Sequence, residues 1–252
     1  MVRSGNRTPR ALIRVMVAVV FVSLGIAYFY YQGVNRSVDP RIKLARQLYE
    51  RYNAYAQLDQ VDSVFWLMDT IESIYASVPH YRDSYETGVL YNNRAAAWLS
   101  LLLRPDQEML IQDTALLLQR AESMVRQSIA IYDHWLATYA GKEEAEISRM
   151  AGKDFMEGLE AYDPEEQQAF LDRRVREITE AQKENPRRLS VSYTNLGTIK
   201  RHQHHYDSAA IWYTRALELW DQNLTAENNL NILLNRPLKK RNLIQKLFPP
   251  EK

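Results

Sequence analysis

The sequence predicts an all-α protein. Three observations carry that reading. Apolar and aromatic residues recur at helical spacing, as at Leu44, Leu48, Tyr52 and Tyr55. Strand-like runs of alternating Val, Ile and Thr are absent. Eight glycines and nine prolines are few for 252 residues. A hydrophobic content of 46% with 25% charged residues fits a folded chain of one or two domains.

The elements follow in order. Residues 1–10 form a basic N-tail without an acid. Ala11 to Tyr31 reads ALIRVMVAVVFVSLGIAYFYY. At about 1.5 Å per residue it spans roughly 30 Å, the thickness of a bilayer core. Its only charge, Arg14, lies one turn in and can snorkel, and Tyr28, Phe29, Tyr30 and Tyr31 form an aromatic belt at the far end. The stretch therefore reads as an uncleaved signal anchor, a single transmembrane helix. A cleaved signal peptide, with Gly25 and Ala27 at the small positions, and a buried soluble helix are the alternatives.

Arg3, Arg7, Arg10 and Arg14 flank one side of this span, and Arg36, Arg41, Lys43 and Arg46 the other. The positive-inside rule is close to a tie. The short acid-free tail favours a cytoplasmic N-terminus, with the bulk of the chain extracytoplasmic. Residues 32–40 are a polar linker, in which Asp39 and Pro40 are expected to cap and open the first helix.

Helical spacing then covers 41–80, with a break near Asp59-Gln60, and 85–135, with an apparent insertion at 104–112. Residues 136–185 carry Gly141, Gly152 and Gly158 in a charged stretch. This segment is expected to stand beside the main body as a side hairpin or a lid. Within it, Asp163-Pro164-Glu165-Glu166 is a helix start, and Asn185-Pro186 is the expected stop. Residues 187–235 hold a hairpin and a last helix that Thr225 is expected to cap, with Asn228, Asn229, Asn231 and Asn235 on a polar outer face. Residues 236–252 form a basic tail. Setting aside the four arginines at 1–14, the six tail bases and Glu251 leaves 22 bases against 30 acids, a body of about −8 between basic ends.

Residues 189–221 read LSVSYTNLGTIKRHQHHYDSAAIWYTRALELWD. Tyr193, Leu196 and Gly197 are followed by Ala209, Tyr213 and Ala216. This resembles a tetratricopeptide (TPR) repeat, with its W-x2-L-G-x2-Y and A-x3-F signatures. The small residues would sit where two helices approach, and the large ones would fill the gaps. Earlier segments align as weaker copies. Asp62-Ser63-Val64 falls on Asp207-Ser208-Ala209, Met68 on Tyr213 and Ile71 on Ala216. A second copy starts near Tyr91 and returns with Ala121 and Ser128 at small positions. The resemblance implies a solenoid of helical hairpins, 41–235, that binds proteins.

It also implies that the first helix of each repeat lines the groove. The polar positions this exposes are Asn53, Asn92, Asn93, Asn195, Thr198 and Arg201; the Asn and Thr side chains suit gripping a peptide backbone, and Arg201 a charged hydrogen bond to an acidic partner. The basic residues by which TPR co-chaperones grip a terminal carboxylate are mostly missing, since their positions fall on Tyr49, Val191 and Asn195.

Residue chemistry points the same way. The chain has no cysteine, which excludes disulfides, thiol catalysis and cysteine zinc sites. His202, His204 and His205 fall at a turn and read as solvated. His80 and His134 read as structural. Trp66, Trp98, Trp135, Trp212 and Trp220 read as packing residues. No phosphate loop, nucleophile elbow or metal-binding helix is present, and no helix carries a basic stripe fit for nucleic acid. The expected function is a non-enzymatic scaffold or adaptor without cofactor or metal, in a bacterial envelope complex. An organellar TPR adaptor and an enzyme of unfamiliar all-helical type are the alternatives.

Overall fold

A computed structural model describes residues 37–58, 60–102 and 111–241; these form helices joined by turns, with no strand among the described residues. The expected span at 11–31 lies outside them, as does the tail after Arg241. None of the described helices is long and apolar enough to cross a membrane.

Helix α1 (Lys43–Gln57) packs on α2 (Val61–Ser77). A single turn, α3 (Pro79–Arg82), leads to α4 (Tyr85–Leu102), which packs on α5 (Ile111–Tyr139). Then α6 (Glu144–Met156) precedes the long α7 (Pro164–His202), which packs on α8 (Tyr206–Leu219). Helix α9 (Leu224–Leu233) closes the described fold against α8 and α7.

Local signals set several boundaries, and some differ from expectation. Asp39 does not cap α1. Its carboxylate accepts the Arg41 backbone N–H at 2.9 Å and the Arg41 guanidinium at 2.7 Å, which makes a turn, and the helix starts at Lys43. Asp163 and Glu166 form the expected capping box, with Pro164 in the first turn of α7. Asn185-Pro186 does not stop that helix, which runs on to His202. Proline removes one hydrogen bond and strains the preceding turn, at about 3 kcal/mol. Burial of Phe170, Leu171, Val175 and Ile178 on one side, and of Leu189, Leu196 and Ile199 on the other, outweighs that. The turn after α7 ends in His204, in the left-handed region at φ 62, with the His205 N–H on the Lys200 carbonyl at 2.9 Å. The cap of α9 is Asn223, not Thr225; Asn223 Oδ1 accepts the Ala226 N–H at 3.0 Å.

Two apolar cores result. The first gathers Ile42, Leu48, Leu67, Met68 and Ile71 from the first hairpin with Tyr81, Ile147, Phe155, Phe170 and Ile178. Segment 136–185 is thus no side hairpin or lid, because its apolar residues complete this core. The second core joins Ala95, Leu99, Leu118, Ala121 and Val125 to Leu196 and Ile199. A polar layer lies between them along the chain on α4, α5 and α7. There the Ser128 hydroxyl donates to the Gly88 carbonyl at 2.7 Å and lies 3.1 Å from Ser192, and Asn92 Oδ1 accepts from Ser192 at 3.1 Å and from Asn195 at 2.9 Å.

Val64, Met68 and Ile71 are buried, as are Ala209, Tyr213 and Ala216, and Ala121 and Ser128 in α5. Two glycines let large rings approach a backbone. A Cβ on Gly197 would stand 2.6 Å from Tyr213 Cε1, and one on Gly88 would stand 2.9 Å from Tyr132 Cε1. Both rings are buried. Trp66 departs from the packing expectation, with 63% of its surface exposed.

Candidate functional site

Four helices, α1, α2, α4 and α7, bring residues to one cleft of about 290 Å³. Arg46, Tyr49 and Glu50 come from α1, Tyr85, Glu86 and Val89 from α4, Arg188 from α7, and Tyr75 from α2. A second depression of about 230 Å³ lies beyond Tyr49, between Tyr52 and Ala56 of α1, Val64 of α2, and Asn93, Ala96, Ala97 and Ser100 of α4. The two meet at a polar bridge, where Asn93 Nδ2 donates to the Tyr49 hydroxyl at 2.8 Å and the Tyr49 and Tyr52 rings lie 5.4 Å apart.

The charges beneath this cleft are mostly committed. Arg174, 2% exposed, donates from Nε to His80 Nε2 at 3.0 Å and from its terminal nitrogens to both Glu86 oxygens at 2.5 and 3.4 Å. Its guanidinium lies over the rings of Tyr81 and Tyr85. Glu177 accepts from Arg46 at 2.6 Å and Arg173 at 2.9 Å, and lies 3.6 Å from Arg174. Burial pulls Arg174 towards neutrality, but Glu86, Tyr81, Tyr85 and Glu177 more than reverse that and hold it well above its usual value. Burial raises Glu177, yet its bonds to Arg46 and the charges of Arg46 and Arg174 bring it down to about 2. His80 is pushed down to about 3 by burial, then by Arg174 and Arg41, so it is a neutral acceptor whose proton sits on Nδ1.

Arg188 differs. No carboxylate among the described residues pairs with it, and its Nε is buried without a hydrogen-bond partner. Its guanidinium stacks over Tyr85 at 5.8 Å and lies near the hydroxyl of the buried Tyr132. Burial raises Tyr49, while its bond from Asn93 and the charge of Arg188 act the other way without cancelling that rise. The tyrosines lining the cleft stay protonated and offer O–H groups.

The residues expected to grip a partner are dispersed. Asn53 is exposed on α1. Asn93 is half-buried at the bridge. Asn92 is not exposed as expected; it is 9% accessible, and its Oδ1 is taken up by Ser192 and Asn195. Thr198 and Arg201 meet at Asn229, which donates to Thr198 at 3.4 Å and accepts from Arg201 at 3.4 Å, while the Tyr213 hydroxyl donates to Thr198 at 3.2 Å. These groups knit α7 to α8 and α9. Asn231, expected on the outer face, is also buried.

Sequence reasoning missed Arg46, Glu86 and Arg188, though a signal existed. Each lies seven residues, two helical turns, before Asn53, Asn93 and Asn195 respectively. Cleft and asparagines therefore share the same faces of three helices, at different levels. Among the described residues no cluster of His, Asp and Glu could hold a metal. No known protein family, curated protein or solved structure matches the chain.

Proposed function

We propose that the chain is a TPR-like adaptor whose first-helix faces, on α1, α4 and α7, bind a segment of a partner protein. The single observation that supports this most is the shared cleft: three helices distant in sequence present Arg46, Tyr49, Glu86 and Arg188 to one open depression. Open grooves with polar side chains already held in place suit recognition of a chain segment, because the ordering cost at the moment of binding is small. The Gly197–Tyr213 and Gly88–Tyr132 contacts add to the TPR-like reading, since both use a missing side chain to bring two helices close. With the apolar 11–31 stretch as anchor, the adaptor would stand on the extracytoplasmic side of a membrane, in a bacterial envelope complex.

A pull-down from native membranes tests the groove. A combined Asn53→Ala, Asn93→Ala, Arg188→Ala variant, one substitution on each of α1, α4 and α7, with unchanged circular dichroism should lose the partner that wild type retains. Retention of every partner at wild-type levels would remove the groove reading. Alkaline phosphatase fused after Glu251 reads the orientation, and an inactive fusion would reverse it.

A further inference from the structure

The uncommitted cation in the cleft asks for a ligand, and its surroundings restrict which one. Arg46 is bound to Glu177 and Glu86 is bound to Arg174, so neither has its charge free for a guest. Arg188 alone among the lining cations has no carboxylate, and its position is fixed by Tyr85 and Tyr132. A guanidinium at a cleft with no carboxylate to neutralise it selects a planar oxyanion over an amide or a cation, because charge-assisted bonds are shorter and stronger than neutral ones. Tyr49 adds a second donor. Its oxygen accepts from Asn93, which leaves its own proton for a guest. Glu50, exposed at the rim, disfavours a second acid there.

The neighbouring depression identifies how the oxyanion arrives. Ala56, Val64, Ala96 and Ala97 line it beside Tyr52, and it adjoins the cleft across the Tyr49–Asn93 bridge. Asn93 Oδ1 has no partner among the described residues, so it can accept a backbone N–H at the crossing point. An acid site, a backbone acceptor and a small apolar site in a row match two neighbouring side chains of one polypeptide better than a free carboxylate.

We propose that the cleft takes an aspartate or glutamate side chain of a partner segment on Arg188 and Tyr49, with a small apolar neighbour of that acid in the adjoining depression. This rests on the groove reading above and adds its selectivity.

The test uses the full chain in mild detergent and fluorescently labelled, acetylated and amidated octapeptides carrying Glu-Val, Gln-Val, Lys-Val or Glu-Gly at their centre. Dissociation constants come from anisotropy. Glu-Val should bind about tenfold or more tightly than Gln-Val or Lys-Val, and several-fold more tightly than Glu-Gly. Arg188→Gln, with wild-type circular dichroism, should remove the preference for Glu over Gln. Tyr49→Phe, which keeps the ring, should reduce that preference roughly threefold and serves if Arg188→Gln unfolds. Equal binding of Glu-Val and Gln-Val overturns the inference and leaves the groove reading intact. Glutarate competing as well as the Glu-Val peptide also overturns it, because the site would then serve a free carboxylate. Failure of every peptide overturns it too, and the triple asparagine–arginine variant decides separately whether the groove binds a partner.

Discussion

The two ends of α7 are held by different physics. Its C-terminal turns pack mainly by shape: Gly197 admits the Tyr213 ring, and Leu196, Ala209 and Ala216 close around it, with a single ion pair beside them, Lys200 to Glu122 of α5 at 2.8 Å. Its N-terminal turns pack around an ion cluster, in which Arg174 and Glu177 meet Arg46 of α1, His80 of α3 and Glu86 of α4. Close packing is tolerant of pH but intolerant of added volume. A buried ion cluster tolerates neither loss of a partner nor a change in protonation. The comparison also explains the charge of the cleft: the cluster fixes α1 and α4, which carry most of its walls, and neutralises Arg46 and Glu86, leaving Arg188 as the cation that a ligand would feel.

The largest effect expected from breaking this arrangement is at Arg174. Arg174→Ala would leave Glu86, 15% exposed, unpaired and His80 without its donor. Removing one partner from a buried pair costs about 3–5 kcal/mol. Urea denaturation should show that loss, and the double variant Arg174→Met, Glu86→Gln should recover much of it. If Arg174→Ala costs no more than a surface substitution, the cluster does not hold the N-terminal half together.

The pH response separates the halves next. Burial, and then Arg174 and Arg41, hold His80 at about 3, so the unfolded chain binds a proton there that the folded chain refuses. That stability is full above the usual histidine value of about 6.5 and is lost as pH falls towards 3. Glu177 adds a second loss, from the usual carboxylate range down to about 2. In the C-terminal half, burial raises Glu122, but its bonds from Lys200, Gln203 and Arg126 bring it down to about 2, so both halves lose stability in the carboxylate range; His202 is lowered by burial and then by Arg201 and His204. Between pH 6.5 and 5, wild type should lose roughly 1–2 kcal/mol. His80→Gln, which keeps an acceptor for Arg174, should flatten most of that slope, and His202→Gln should flatten less. Equal slopes for wild type and His80→Gln would mean that His80 titrates normally.

Legibility in the sequence follows the same division. The C-terminal hairpin is written locally: Gly197, Ala209, Tyr213 and Ala216 fall within twenty residues, and each is buried. The Asp163 capping box is local too. The Arg174 cluster draws on residues 46, 80, 86 and 177, and nothing in the surrounding run of charges distinguishes Arg174 from Arg173 or Arg176. Pro186 misled as a stop because its penalty is local, whereas the burial that outweighs it comes from α5, α6 and α8. Asn92 misled because an asparagine on a helix reads as exposed until Ser192 and Asn195, about a hundred residues away, are known to face it. The cleft was half legible: its helix faces follow from the spacing of Asn53, Asn93 and Asn195, but its level and the commitment of its charges require the fold.

The smallest effects concern the shape-packed contacts, and they rank them. A Cβ at Gly197 would meet Tyr213 Cε1 at 2.6 Å and Cδ1 at 2.7 Å, inside any normal contact. One at Gly88 would meet Tyr132 Cε1 at 2.9 Å, then Cζ at 3.1 Å. Alanine gains about 1 kcal/mol over glycine in a helix interior, and overpacking costs about 1–3 kcal/mol. The net therefore depends on whether the ring can move. Tyr213 is enclosed, and its hydroxyl donates to Thr198, so moving the ring also strains that bond. Gly197→Ala should lower the thermal midpoint, Gly197→Leu should lower it further, and Gly88→Ala should lie closer to wild type than Gly197→Ala. Neither glycine touches the ion cluster, so in both alanine variants the pH slope between 6.5 and 5 should match wild type. A Gly197→Ala variant as stable as wild type would show that the hairpin yields at Tyr213, and the contrast between the two ends of α7 would then rest on charge alone.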